Sequence, residues 1–266
     1  MSIRQGWLAR LFARTPPYEA QIDPSAEFVV GAGTLLQGSR IRVGRNAVLR
    51  IGRGSVVNAV LSVHDGCQVT IGDGCQVANT VLTVQQASRV HLSEGARIAP
   101  PQRFPAEVAV DRGTLEIGPH AWVQSDLLVR FGGHMKIGAY AGISYGGDIR
   151  CEEQVTIGDY AMISYEVCIY DTNTHSTDWR KRRAVIERMR QSGTGEVEKP
   201  DTRPVHVGDD VWIGRGAVVL KGSRLGDRSI VGIRTVVSGV YPADTTLVST
   251  APRTFSRVEG SLGPCA

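Results

Sequence analysis

Large aromatic side chains are scarce in this chain, at 6% of 266 residues. No apolar run approaches the roughly 20 residues that span a bilayer. No long helical pattern separates the apolar stretches, which excludes a simple alternation of strands and helices. Charge is scarce in one sense too: the formal net charge is +4, too mild to argue for a nucleic-acid partner. The five cysteines, Cys67, Cys75, Cys151, Cys168 and Cys265, are odd in number and show no C-x-x-C spacing, so they read as reduced, packed residues rather than disulfides or metal ligands. The N-terminal residues lack the apolar core and cleavage site of a secretory signal, and the expected compartment is the cytoplasm.

What is present is glycine, 31 of them, placed after aliphatic residues at fixed intervals. Ile51-Gly52 and Ile71-Gly72 are 20 apart, as are Ile117-Gly118, Ile137-Gly138 and Ile157-Gly158. Val207-Gly208 and Leu225-Gly226 are 18 apart. Eighteen is three hexapeptides, one turn of a triangular coil, and 20 is that turn with two residues added at a corner. Internal periodicity of this kind marks a solenoid, in which each coil supplies partners for the next. The expected fold is all-β: a left-handed parallel β-helix, with an inward aliphatic residue on each side and a small residue where the chain bends. Short helical segments are expected at its ends.

The rhythm is uneven along the chain. Residues 1–19 form an expected N-terminal arm, 20–109 irregular coils, 110–240 the regular core and 241–266 a tail. In the arm, Trp7, Leu8, Leu11 and Phe12 beside Arg4, Arg10 and Arg14 would make an apolar stripe flanked by arginines. Packing on the body or on a neighbouring subunit is the first reading of 1–16, and weak contact with the inner face of a membrane is the second. The segment 171–204 has no repeat at all. A gap of that length inside a compact domain is usually functional or disordered. Within it, 179–191 reads as a short, strongly basic helix, either a solvated flap or a cationic lid over an anionic ligand.

The gap opens with Asn173-Thr174-His175-Ser176-Thr177-Asp178. Histidine takes and returns protons near neutrality, so His175 is the candidate general base. Asp178 or Asp171 could accept from its other ring nitrogen, and the residues themselves do not choose between them. Asn173 could position an acceptor or support an oxyanion, a role also open to the backbone N–H groups around Trp212 and Gly214.

Two stretches carry a family resemblance. One is Val207-Gly208-Asp209-Asp210-Val211-Trp212-Ile213-Gly214 continuing through Leu220-Lys221-Gly222-Ser223. The other is Asn173-x-His175-x-x-Asp178. Over roughly 110–255 the chain resembles the hexapeptide-repeat acyltransferases, in particular their sugar and polysaccharide O-acetyltransferase branch. It departs from the usual Asn-Pro-Ala-Lys ending, having Ser249-Thr250-Ala251-Pro252-Arg253 instead. The resemblance implies an acetyl-CoA donor, a carbohydrate acceptor, a homotrimer with active sites between subunits, and His175 as base. It also implies that Trp212 and Gly214 line the cleft, and that Arg215, Lys221, Arg234 or Arg253 meet the coenzyme phosphates. No ordered histidine triad of the β-helix carbonic anhydrase kind is seen, so no metal is expected. N-acetylation of an amino nucleotide-sugar and a non-catalytic β-helix are the competing readings.

Overall fold

The computed structural model describes residues 18–249, apart from 194, 196 and 197. The arm reading for 1–16, and Arg253, lie outside the described residues. The chain winds as a parallel β-solenoid of about ten turns, the β-helix expected from the repeats. One side is a ten-stranded sheet; the other two sides join into a seventeen-stranded sheet. They join because Val56–Val63 and Gln76–Gln85 run unbroken around a corner.

A single coil shows the plan. Gln154–Ile157 forms the first side, Met162–Ile163 the second and Cys168–Tyr170 the third. The first corner lies between 157 and 162, the second between 163 and 168, and the third between 170 and the next coil. Strand burial alternates in each side because side chains of a strand point to opposite faces. The inward members stack on their counterparts above and below. Ile71, Leu92, Ile117, Ile137, Ile157 and Val207 form one such column by strand register, each at most 1% exposed. Cys67, Cys75 and Cys151 are buried in the same core as free thiols, and burial pushes the thiol of Cys151 far above its ordinary range.

The recurring glycine has a sharper reason than the bend itself. Gly138, Gly158 and Gly208 do not have positive φ. A Cβ on Gly158 would sit 2.4 Å from Asp209 Oδ1 and 2.5 Å from the carbonyl carbon of Gly208. The glycine is therefore demanded by the next coil's approach. The left-handed turn falls two residues later, at Tyr140, Tyr160 and Asp210, with φ near 55°. The aspartate after the glycine is explained as well: Asp159, Asp209 and Asp227 each accept from a backbone N–H one coil earlier, at 2.7, 2.8 and 3.0 Å.

Irregularity is confined to the corners. Between Leu92 and Ile117 the period stretches to 25 residues, because Pro100, Pro101 and Pro105 sit in an enlarged second corner. The first side nevertheless keeps parallel register from Glu27–Val30 onward, through the stretch where the sequence rhythm is ragged. Coils also run past residue 240: Tyr241-Pro242-Ala243-Asp244 makes another first corner, and Thr246–Leu247 pairs with Ile230–Val231.

The largest excursion leaves at the third corner and returns into Val205–Val207, which pairs with Val155–Ile157 as though nothing intervened. It contains the only helix among the described residues, Trp179–Ser192 (α1).

Candidate active site

The excursion begins on a buried polar cluster at the third corner. Asp171 is fully buried, and its carboxylate accepts from the backbone N–H groups of Glu152, Glu153 and Gln154 at 2.7–3.1 Å. Burial raises its pKa, and the three N–H bonds oppose that rise. Glu152, also fully buried, pairs with the Arg130 guanidinium and accepts from the Thr172 hydroxyl at 2.7 Å. The returning chain is tied at the same place: Thr172 bridges Thr202, and the Thr202 hydroxyl donates to Glu153 Oε2 at 2.6 Å. The Asn173 N–H donates to the Asp201 carbonyl at 3.0 Å, and Lys221 pairs with the Asp201 carboxylate.

These anchors hold a strained turn. Thr174 has φ of +62°, the one β-branched residue in the left-handed region among the described residues. That region is a genuine outlier for a branched side chain. Its N–H donates to the Thr172 hydroxyl at 2.9 Å, and the His175 N–H donates back to the Asn173 carbonyl at 2.7 Å. Local strain of this sort costs on the order of 1–3 kcal/mol and persists only where surroundings over-determine it. Here Glu152 and Thr172 do so, and the next residue, His175, is exposed.

Asp178 has a structural task. Its Oδ1 accepts from the Arg180 N–H at 2.9 Å as the N-cap of α1, which ends at Gly193 with φ of 69°. Arg182 ties the helix back to the loop by donating to the Ser176 and Thr177 carbonyls, each at 2.8 Å. Both carboxylates considered as partners for the His175 ring also hold backbone N–H groups, Asp171 three amides and Asp178 the cap of α1.

The remaining expected residues lie elsewhere on the chain. Trp212 is on the second side, between the first and second corners, about half exposed, with Nε1 3.4 Å from Ser164 Oγ. In register with it stand Trp122, Gly142, Met162 and Ile230, an outward apolar row. The Trp212 and Gly214 N–H groups are spent on the Ser229 and Val231 carbonyls of the next coil, so they are not oxyanion donors as envisaged from the sequence. Arg215 and Arg234 meet at the second corner, where Arg215 grips Glu166 through two bonds of 3.1 and 2.6 Å. His175, Asn173, Asp178 and Lys221 therefore gather at the third corner, and Trp212, Gly214, Arg215 and Arg234 on the second side and second corner. Sequence reasoning missed Glu152, Thr172 and Arg130. The available signal was a Glu-Glu pair directly after an inward cysteine, where the coil has room for one inward residue.

Among the described residues no group of three or more His, Cys, Asp or Glu side chains could hold a metal ion, and no helix is long and apolar enough to cross a membrane.

No family model matches the chain. The curated proteins give matches. A galactoside O-acetyltransferase of Lactococcus lactis subsp. lactis (strain IL1403) is 29% identical over 140 residues, covering 51% of this chain and 59% of that protein. Nodulation protein L of Rhizobium meliloti (strain 1021) is 33% identical over 110 residues, covering 41% and 52%. A solved hexapeptide-repeat acetyltransferase of Vibrio cholerae O1 biovar eltor, in complex with acetyl coenzyme A, is 28% identical, covers 48% of this chain and 64% of that chain, and has a TM-score of 0.38. The chain spans about a quarter to three fifths of the length of the curated relatives it matches.

Proposed function

We propose that this chain, a relative of the hexapeptide-repeat acetyltransferases, transfers an acetyl group from acetyl-CoA to a sugar hydroxyl of a surface polysaccharide or its precursor. The observation that carries the reading is the strained Asn173-Thr174-His175 turn, braced by buried Glu152 and Asp171 in the one long excursion of a regular solenoid.

In this reading the His175 imidazole removes the proton of the acceptor hydroxyl as its oxygen attacks the thioester carbonyl carbon. The tetrahedral intermediate collapses with cleavage of the carbon–sulfur bond, and the imidazolium returns the proton to the departing coenzyme thiolate. A positioned base of this kind contributes roughly 10²–10⁴-fold in rate. Asn173, half-buried beside the histidine, orients the acceptor. The coenzyme lies along the outward row around Trp212, and its phosphates compete with Glu166 for Arg215 and with Asp201 for Lys221, with Arg234 alongside. Because the two groups of residues occupy different parts of one chain, the reading includes a homotrimer in which one subunit's excursion meets its neighbour's second side. Such threefold packing would close the assembly about one axis. The reaction belongs to the cytoplasm, where activated donor and glycan precursors meet.

The test is thiol release from acetyl-CoA with a panel of neutral, acidic and amino sugars, using wild type and His175→Ala. Release with hydroxyl acceptors that falls at least a hundredfold in the variant is expected. Release only with amino-sugar nucleotides would instead make it an N-acetyltransferase, and no release above the variant with any acceptor would sink both. Light scattering at micromolar concentration checks the trimer; a monomeric mass would contradict it.

A further inference from the structure

The acetyl-transfer reading leaves the outer face of α1 without a task. The helix spans Trp179–Ser192, and Val185 is its one buried residue. At ~100° of rotation per residue, Met189, Arg182, Ile186, Trp179, Arg190 and Arg183 fall within about 120° of arc. All six are exposed, with Trp179 at 49%, Ile186 at 61% and Met189 at 53%. Three apolar and three cationic side chains thus share one outward stripe. Trp179 carries two guanidinium groups against its ring, Arg180 at 4.7 Å and Arg183 at 4.9 Å. The helix has one acidic residue, Glu187, against six basic ones.

From this arrangement we propose that α1 is a docking element for an anionic lipid surface. Three features favour that partner. The charge is complementary, since the basic side chains of such a helix sit near acidic headgroups. The apolar side chains project from a convex helix and do not line a groove, so a partner must deform around them, as the boundary between headgroups and acyl chains does. Arginine stems can lie along the same apolar layer while their heads stay among the phosphates. A soluble acidic glycan would satisfy the arginines and leave Ile186 and Met189 in water. Docking through α1 would hold the His175 turn, four residues before the helix, close to a membrane-attached acceptor. The inference is separate from the N-terminal arm and does not require that acetyl transfer be the reaction.

The experiment is co-sedimentation of the full-length chain with phosphatidylcholine vesicles, with and without phosphatidylglycerol. Binding is expected only to the anionic vesicles, and to weaken with added salt. Arg183→Glu/Arg190→Glu and, separately, Ile186→Ser/Met189→Ser should each weaken it at least tenfold, with unchanged melting temperature. Equal binding to both vesicle types, or wild-type binding by both double variants, would overturn the proposal. So would loss in the arginine variant alone together with competition by dextran sulfate, which would indicate a soluble polyanion. A fall in mass by light scattering in Ile186→Ser/Met189→Ser would overturn it in favour of contact between copies. Acetyl transfer to a dissolved sugar should be unchanged in Ile186→Ser/Met189→Ser, which separates failure of docking from failure of the catalytic reading.

Discussion

The coils and the excursion at 171–204 solve opposite problems with the same chain. In an interior coil the backbone groups of the strands bond to the neighbouring coils, and inward side chains stack on counterparts above and below. The Gly158 N–H bonds to Val207, the Asp159 N–H to the Asp209 side chain, and the Tyr160 N–H to Ala139. The backbone of such a coil is committed to its neighbours, and its outward side chains offer a surface for binding. In the excursion the stacking rule is suspended, and the ordering comes from buried charge: Glu152 with Arg130, and Asp171 with three amides. Ordering by stacking gives uniformity, whereas ordering by a few polar bonds can hold one strained turn and present one exposed side chain. The difference between the two regions teaches where activity can reside on a solenoid.

The sharpest way to break that contrast is to remove the side chain the excursion presents. His175→Ala should lower kcat by roughly 10²–10⁴-fold, the share a positioned base supplies, with little change in thermal stability because His175 is exposed. Steady-state kinetics beside a melting curve checks this. A variant that melts early would show that the histidine belongs to the fold.

A paired comparison comes next. Glu152→Ala leaves the half-buried Arg130 guanidinium without its carboxylate and unties Thr172, and hydrogen bonds to charged groups contribute about 1.5–3 kcal/mol. Ile137→Ala opens a hole in the aliphatic column and costs about 2–5 kcal/mol. Both should lower stability in urea unfolding. Only Glu152→Ala should also lower kcat at temperatures where each variant is fully folded, because only it touches the turn that sets His175. Equal loss of kcat in both would erase the distinction between coil and excursion.

How far the sequence could be read follows the same division. Column residues such as Ile117, Ile137 and Ile157 announce themselves, since a strict spacing with an inward aliphatic residue has few other meanings. His175 stands out because it interrupts that spacing, and the helix because it concentrates basic residues. The braces did not stand out. Glu152 and Asp171 are 19 residues apart and meet only because one coil stacks on the next, a relation that local pattern does not encode. Asp178 illustrates the converse: beside a histidine it reads as a catalytic partner, and its task as helix cap shows only in the bond from the Arg180 N–H. The glycine after each aliphatic residue was visible, but its cause, contact with the neighbouring coil, needed the third dimension.

A smaller effect tests the brace at Asp171. Its folded pKa is raised, chiefly by burial. The stability linked to that shift is fully present below the unfolded carboxyl value, about 3.9, and is lost as pH rises through the raised folded value. Asp171→Asn removes the titration and turns one acceptor into a donor facing backbone N–H groups, which costs about 1–3 kcal/mol. The stability gap between wild type and variant should therefore widen from neutral pH toward pH 5, measured by urea unfolding. A gap that narrows on acidification would mean that the three N–H bonds outweigh burial and hold the carboxylate ionised.

The smallest effect separates the two roles of Asp178. As N-cap it satisfies the Arg180 N–H, and Asp178→Ala should cost about 1 kcal/mol, confined to α1. Amide exchange within 179–192 should quicken several-fold while the coils keep their protection, since local opening has its own free energy. Asp178→Asn keeps a capping oxygen, and should restore exchange in α1 to the wild-type rate. The two substitutions divide the possibilities because capping needs only an acceptor, whereas orienting an imidazolium uses the charge. If Asp178→Asn protects the helix but lowers kcat as much as Asp178→Ala does, the aspartate acts on His175 in addition to the helix. If kcat falls in Asp178→Ala and recovers with the helix in Asp178→Asn, the catalytic geometry depends on the cap and not on the charge of Asp178.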